Sequence, residues 1–414
     1  MKRSLLFSII LTTNIYATTI SKIVISGNTK TKDSVIRNEI DFKIGQEVNQ
    51  KQLEEAKIKL RNTNLFSSVK IRHHKNTVYI NVIDRWTTIP ILKFSSGGGV
   101  TKVTAGVFDP NIFGEYIEAG AQFDRLEDTN SGVVWFKNPR LFGKRYGIDL
   151  QAWKINRLRT KFDQRAEDPV VLDGFLHIRD KFYLGLTKEF HSKLNTTVFY
   201  EYNRDKFSTK LVPKEAKSVS QSSKLPVDTK YHFAGAQLDL GRLDSNSFLL
   251  DGSKFTINAR IGTTSTNKAN DFFSYSVAWN YFKSFGDHTF AQRIMAGGTD
   301  TKVLQYWYYL GGLDRIRGFS DNRFAGRYFW LSNSEYRIPL IQRPSWILQS
   351  VGFLDITSTK EVFGDLSDLS GASTGLGLRV VLPKIYRFVI RLDYAKPIYR
   401  DDDNSISFGV QQFF

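Results

Sequence analysis

Cysteine is absent from the 414 residues, which excludes a disulfide framework, a thiolate metal site, an iron–sulfur cluster and a cysteine nucleophile. Methionine occurs twice and histidine six times, a poor supply for a metal enzyme. Long apolar runs are missing too: past the first residues nothing approaches the roughly 20 apolar residues that a membrane-spanning helix requires. Acidic residues are short by comparison with basic ones, 41 against 58, leaving a formal charge of +17. That surplus suits nucleic acid, an anionic membrane or an acidic ligand equally. The basic residues are spread through strand-like segments, however, and not gathered on one helix or arm, which argues against a nucleic-acid partner. Aromatic residues are plentiful, led by 32 Phe and 18 Tyr, and they favour strands.

The first residues read as an export signal. Lys2 and Arg3 precede an apolar run from Leu5 to Leu11, and Ile15-Tyr16-Ala17 ends in a small residue suited to cleavage. The expectation is a signal peptide from Met1 to Ala17 and a protein exported beyond the inner membrane.

From Thr18 to Asp84 the pattern describes a small α+β module. Ile23 and Ile25 belong to a strand that turns at Gly27-Asn28, and Val35, Ile36 and Ile40 mark a first helix. A second helix runs from Gln50 to about Thr63 with Leu53, Ala56 and Leu60 on one face, and Asn49 and Gln52 form a capping-box start. Two strands come next, through Val69 and Ile71 and through Val78, Ile80 and Val82. The order is β-α-α-β-β, with a core of its own and few residues expected to tie it to the first barrel strand. His73-His74 would point to opposite faces of a strand, which does not suit a metal. The order, with Ser26-Gly27-Asn28, Ile44-Gly45-Gln46 and Leu65-Phe66-Ser67-Ser68-Val69, resembles a polypeptide-transport-associated (POTRA) domain. The resemblance implies a periplasmic module that handles client chains at its sheet edge.

From Trp86 to Phe414 strand-length segments alternate with period two between turn residues, the signal of an outer-membrane barrel. About 16 segments can be counted, with clear ones at the end. Leu376, Leu378 and Val380 oppose Gly375, Gly377 and Arg379; Ile390, Leu392 and Tyr394 oppose Arg391 and Asp393; Ile406, Phe408, Val410 and Phe414 oppose Ser405, Ser407 and Gly409. The predicted fold is therefore mostly β, a transmembrane antiparallel barrel of about 16 strands behind one α+β module. Even-numbered connections look short, such as Asn138-Pro139-Arg140 and His191-Ser192-Lys193, whereas the long polar stretches 157–174, 203–230 and 358–372 fall at odd positions. That parity is expected if the module and the short turns are periplasmic.

The most specific stretch runs from Leu310 to Phe319 and contains Ile316-Arg317-Gly318-Phe319. With Glu335-Tyr336-Arg337, Phe353-Leu354-Asp355, Gly375 to Arg379 and Arg391 to Tyr394 in order behind it, the chain resembles the outer-membrane β-barrel assembly and translocation superfamily. This is the bacterial surface antigen family, of the BamA, TamA and two-partner secretion translocator kind. The resemblance implies that Ile316, Arg317, Gly318 and Phe319 sit on a sixth loop folded into the lumen, with Glu335, Asp355 and Phe353 as its partners. Thr357 departs from the pattern, where the family often has glycine two residues after the aspartate.

The resulting expectation is insertion or translocation of polypeptides at the outer membrane, with the lipid bilayer and an unfolded or secreted client as partners. No cofactor, metal or nucleic acid is expected, and no enzyme: His-Glu-x-x-His and a phosphate loop are missing, and the Gly-x-Ser-x-Gly string Gly371-Ala372-Ser373-Thr374-Gly375 lies in an alternating strand segment and not on the strand-to-helix turn of a nucleophile elbow. The first barrel strand contains Pro90 and Gly97, Gly98 and Gly99, which weaken its pairing with the last strand, where Phe408 and Phe414 lie. A seam there could open toward a client strand. The alternative is a passive porin or anchoring barrel.

Overall fold

The computed structural model describes residues 18–414 apart from 98–99, 211–224, 267–268, 313–314, 401, 403 and 411. The expected signal peptide and the expected seam residues Gly98 and Gly99 lie outside the described residues. The N-terminal module consists of β1 (Thr18–Thr19), β2 (Lys22–Ser26), α1 (Asp33–Glu39), β3 (Glu47–Val48), α2 (Gln50–Asn62), β4 (Phe66–His74) and β5 (Thr77–Asp84). Its order is the predicted one with the two-residue pair β1 and β3 added. The capping box at α2 is present, Asn49 accepting from the Gln52 N–H at 2.9 Å and Gln52 accepting in return from the Asn49 N–H. Leu53, Ala56 and Leu60 of α2 meet Val35 and Ile36 of α1 and Val69, Val78, Ile80 and Val82 of the sheet in one closed core. Gly27 turns with φ of +85°, where a Cβ would lie 2.0 Å from the Val82 carbonyl oxygen. Sheet order is β2-β5-β4, so β4 is an edge strand.

The rest of the chain closes into a sixteen-stranded barrel. In order its strands are β6 (Ile89–Gly97), β7 (Val100–Ile112), β8 (Ile117–Leu126), β9 (Thr129–Asn138), β10 (Tyr146–Phe162), β11 (Val171–His191), β12 (Leu194–Ser208), β13 (Thr229–Asn246), β14 (Leu249–Thr264), β15 (Phe272–Phe285) and β16 (His288–Thr299). A hairpin of β17 (Tyr308–Leu310) and β18 (Phe324–Gly326) interrupts the series. The barrel resumes with β19 (Tyr328–Gln342), β20 (Ile347–Lys360), β21 (Gly371–Val381), β22 (Val389–Tyr399) and β23 (Ser405–Val410). Leu376, Leu378, Leu392, Tyr394, Ile406 and Phe408 are exposed on the outside, whereas Arg379, Arg391 and Asp393 are buried inside. This inversion of the usual arrangement results from lipid outside and a polar lumen within.

Two expectations need correction. The last strand stops at Val410, and Phe414 does not share its outer face: the ring lies 6.2 Å from Phe282, inside the barrel. The stretch 157–174 is mostly strand, because β10 runs on to Phe162 and β11 begins at Val171. Polar residues suggest a loop there, but inward-facing Arg157, Arg159, His177 and Arg179 suit a hydrated lumen as well as they suit solvent.

The module is tied to the barrel more widely than expected. It meets four successive even-numbered connections. Lys30 pairs with Asp109 at 2.6 Å and the Lys32 N–H donates to the Gly114 carbonyl beside the β7–β8 turn. Glu39 takes both Nε and Nη2 of Arg140 at 2.5 and 2.8 Å, and Asp41 meets Arg145 at 2.8 Å, at the β9–β10 turn. Glu55 accepts from Ser192 at 3.0 Å and from Arg242, and Asn62 donates to Asp244 at 2.9 Å. The linker adds a fifth contact, with the Trp86 N–H on the Lys384 carbonyl at 3.1 Å. All five connections are even-numbered, so the module marks one end of the barrel.

Candidate functional site inside the barrel

Residues 300–327, between β16 and β19, form the eleventh connection and fold into the lumen. The wall residues Phe329 and Leu331 of β19 cover Leu310, Ile316, Phe319 and Phe324 of this loop in an apolar cluster. Gly318 has φ of +84°, the left-handed region, and a Cβ there would stand 3.3 Å from Ser373 and 3.4 Å from Ala395. Both the turn and the close approach to β21 and β22 therefore favour glycine.

Arg317, 2% exposed, sits at the centre of the site. Its Nε and Nη2 donate to the two oxygens of Asp355 at 2.7 and 2.9 Å, its backbone N–H to Asp355 at 3.2 Å, and its Nη1 to Glu335 at 2.7 Å. The planar fork thus meets one carboxylate bidentately and a second from its far side. Above and below it lie the rings of Phe353 and Phe413, with the guanidinium carbon 3.5 and 3.9 Å from their centroids. Burial alone would lower the pKa of Arg317, but Asp355, Glu335 and Asp393 outweigh it and hold the group above its ordinary value.

The carboxylates are shared with the wall. Glu335 also takes Nε and Nη2 of Arg337 at 2.9 and 2.7 Å, while Asp393 pairs with Arg379 at 2.7 Å and with Arg391 at 3.5 Å. Asn333 donates to both Asp355 and the Arg315 carbonyl. Buried charges persist when paired and hydrogen-bonded, and removing one partner from such a set costs about 3–5 kcal/mol. Thr357, at the position where glycine was expected, is buried and donates to the Trp330 carbonyl at 2.8 Å, and β20 continues past it.

The loop also grips the last strand. The Gly318 N–H donates to the Ser405 hydroxyl at 3.1 Å, and Ser320 gives its N–H and its hydroxyl to Asp402 at 3.0 and 2.7 Å. Beyond β23 the chain turns inward, placing Phe413 on Arg317 and the Phe414 main-chain oxygen 3.3 Å from Arg337. On its other side β23 pairs with β6, with Ser407 opposite Ser95.

Of the predicted residues, Arg317, Glu335, Asp355 and Phe353 meet at one point, and Ile316, Gly318 and Phe319 pack around it. Gly97 ends β6 and pairs with Val100; Phe408 is on the outer face of β23. Sequence reasoning treats Arg337, Arg379, Arg391 and Asp393 as lumen residues or motif neighbours, not as partners, and it misses Phe413 altogether. Alternation predicts which wall residues face inward but not which of them meet across the lumen. Among the described residues no cluster of His, Asp and Glu is placed to hold a metal.

A family model described as the Omp85 superfamily domain matches residues 111–414. The chain belongs to the Omp85 superfamily. A second model, the surface antigen variable number repeat of POTRA type, matches residues 18–83. Among solved structures, this Omp85 chain is similar to BamA from Haemophilus ducreyi lacking POTRA domains 1–3, with a TM-score of 0.58 and 15% identity over 95% of this chain and 84% of that one. CdiB from Escherichia coli gives a TM-score of 0.64 with 13% identity, covering 95% and 76%. At such identities the likeness is one of fold. No curated protein sequence matches the chain. Membership supports outer-membrane insertion or translocation at family level, and in that family the POTRA domain is periplasmic.

Proposed function

We propose that this Omp85 protein passes client polypeptides into or across the outer membrane by opening at the β23–β6 seam. The observation that carries this reading is the way β23 is held. Ser407 stands opposite Ser95 of β6, while the inward loop and Phe413 hold this six-residue strand from the lumen side. A strand of six residues can part from its neighbour by breaking only a short ladder, and the parted edges offer backbone groups to a client strand. The loop, anchored on Glu335 and Asp355 through Arg317, serves as the brace against which β23 moves. The POTRA domain receives the client first: β4 is a free edge, and a groove beside it of about 390 Å³ is lined by Lys57, Arg61, Lys70, Arg72 and the β13–β14 turn. No covalent chemistry is needed.

The test uses the full chain in liposomes, supplied with urea-unfolded client barrels and, separately, with an unfolded exoprotein. Protease-protected, folded client would support the reading, and the preferred client would separate insertion from translocation. High single-channel conductance with no client gain over empty liposomes would replace it with the passive porin.

A further inference from the structure

The outer wall of β10 to β13 carries a charged row where its apolar surface ends. Lys154, Asp180, Arg204 and Lys230 stand in register on the four strands, and Lys206 lies on β12 one step farther from the module. Lumen-facing neighbours on the same strands, among them His177, Asn203, Asp205 and Tyr231, are buried, whereas Arg204, Lys206 and Lys230 are exposed on the other face. Asp180 accepts from Lys154 at 2.8 Å and from Arg204 Nε at 2.9 Å. Lys206 and Lys230 meet no carboxylate among the described residues. Asp228, which accepts from the Phe207 N–H, is the second carboxylate at this edge, so four cations share two anions.

The next row toward the module is Phe182, Tyr202 and His232, and after it come Leu150, Leu184, Tyr200 and Ala234. At the opposite edge of this surface Lys188 lies over the rings of Tyr146 and Phe190, at 5.5 and 4.9 Å. From Lys188 to Asp180 the strand covers about 26 Å, or roughly 20 Å along the barrel axis at the usual tilt, near the height of an apolar band. Lysine and arginine on the lipid face are costly at the bilayer midplane and tolerated at its interface, so the row marks the headgroup level of the leaflet far from the module.

We propose that this row binds the phosphoryl headgroup of an anionic lipid in that leaflet. Arg204 holds Asp180 through Nε and Nη2 and keeps Nη1 for a phosphate, Lys206 and Lys230 add point charges, and the acyl chains lie along Phe182, Leu184, Tyr200 and Tyr202. A lipid joins the two surfaces; free phosphate uses only the first. The site lies on the wall opposite the seam, and it requires the barrel to be in a membrane but not the transport reading.

The test is native mass spectrometry of the full chain in neutral detergent with a bisphosphorylated glycolipid, and with the same lipid after phosphatase treatment. Wild type should retain the phosphorylated form roughly 30-fold better, as a surplus of two cations implies. The triple variant Arg204→Gln, Lys206→Gln, Lys230→Gln should lose that preference, and a control at other sites, Lys188→Gln with Lys283→Gln, should keep it. Equal retention of both lipids by wild type overturns the proposal, and this comparison needs no variant to fold. Displacement of the lipid by an equal concentration of inorganic phosphate would overturn the lipid assignment.

Discussion

The two sides of the barrel are built differently. On one side β10, β11, β12 and β13 have 17, 21, 15 and 18 residues and pair along nearly their full lengths. On the other, β6 has 9 residues and β23 has 6, and they meet with Ser95 opposite Ser407. Ladder hydrogen bonds contribute about 0.5–1.5 kcal/mol each, so the long wall is secured many times over by backbone alone. There β23 is also held from the lumen by side chains that meet the loop: Arg317, Ser320, Asp402, Ser405 and Phe413. Backbone ladders resist change of any kind, whereas a set of side chains can be released together. One side is thus a frame and the other a candidate moving part.

Locking the seam should have the largest effect. Cysteines replacing Ser95 and Ser407, which oppose each other in the ladder, should on oxidation abolish client transport, with reduction restoring it. The same lock between Thr187 and Thr197 of the long wall, whose hydroxyls lie 2.7 Å apart, should leave transport intact. Undiminished transport with an oxidised seam would end the comparison. The chain's lack of native cysteine keeps both measurements clean.

Arg317→Ala comes next. It takes the cation from Asp355 and one of the cations from Glu335, which keeps Arg337, and should cost the loop anchor about 3–5 kcal/mol, against about 0–1 for an exposed pair. The barrel should still migrate as a heat-modifiable band, since its ladders are untouched, while activity falls. A cysteine at Ser320 should become open to a bulky external reagent, and Arg317→Lys should rescue poorly for want of the planar fork. Labelling that is already fast in the parent and unchanged by Arg317→Ala would show that the loop does not depend on this anchor.

A smaller effect is expected at the module. Glu39, 3% exposed, holds Arg140 through two hydrogen bonds; Glu39→Gln should weaken docking by about 1.5–3 kcal/mol. The module keeps its own core, so differential hydrogen exchange should rise at the β9–β10 turn and not at Leu60 or Ile80. Loss of protection throughout the module would mean that it depends on the barrel to fold.

The smallest effect is on pH. The hydrogen bond from Arg242, helped by its charge, holds the carboxyl of Glu55 below its ordinary value. A carboxyl lowered on docking stabilises the docked state above the undocked pKa, about 4.3 for glutamate, and that contribution disappears as pH falls through the lowered value. Docking measured by spectroscopic distance should therefore loosen below about pH 4. Arg242→Ala should remove this part of the pH dependence, and a profile unchanged by it would exclude Glu55 as a source.

The strand count and the inward direction of Glu335 and Asp355 are readable because a strand alternates with period two, and a lipid-facing wall makes that alternation visible over every segment. The sixth loop is readable for a different reason: an arginine, a glycine that must turn and an aromatic residue stand together in Arg317-Gly318-Phe319, at the right connection. The inward turn of Phe413 has no such signal, since Gln411-Gln412-Phe413-Phe414 continues an alternating strand as well as it leaves one.

Local pattern by itself thus determined the compartments of this protein: a module with its own core, a barrel with lipid outside, and a charged lumen with a loop motif bound for it. Those properties depend on neighbours a few residues apart, where spacing translates directly into direction. Only the tertiary structure decided which charges meet. Arg317 joins residues 18 and 38 positions away, Glu39 finds Arg140 across the domain boundary, and Lys154, Asp180, Arg204 and Lys230 fall into one row. Pairing at such separations is set by ladder register and barrel closure, which one strand's sequence does not encode, because each strand's partners are chosen by the packing of all the others.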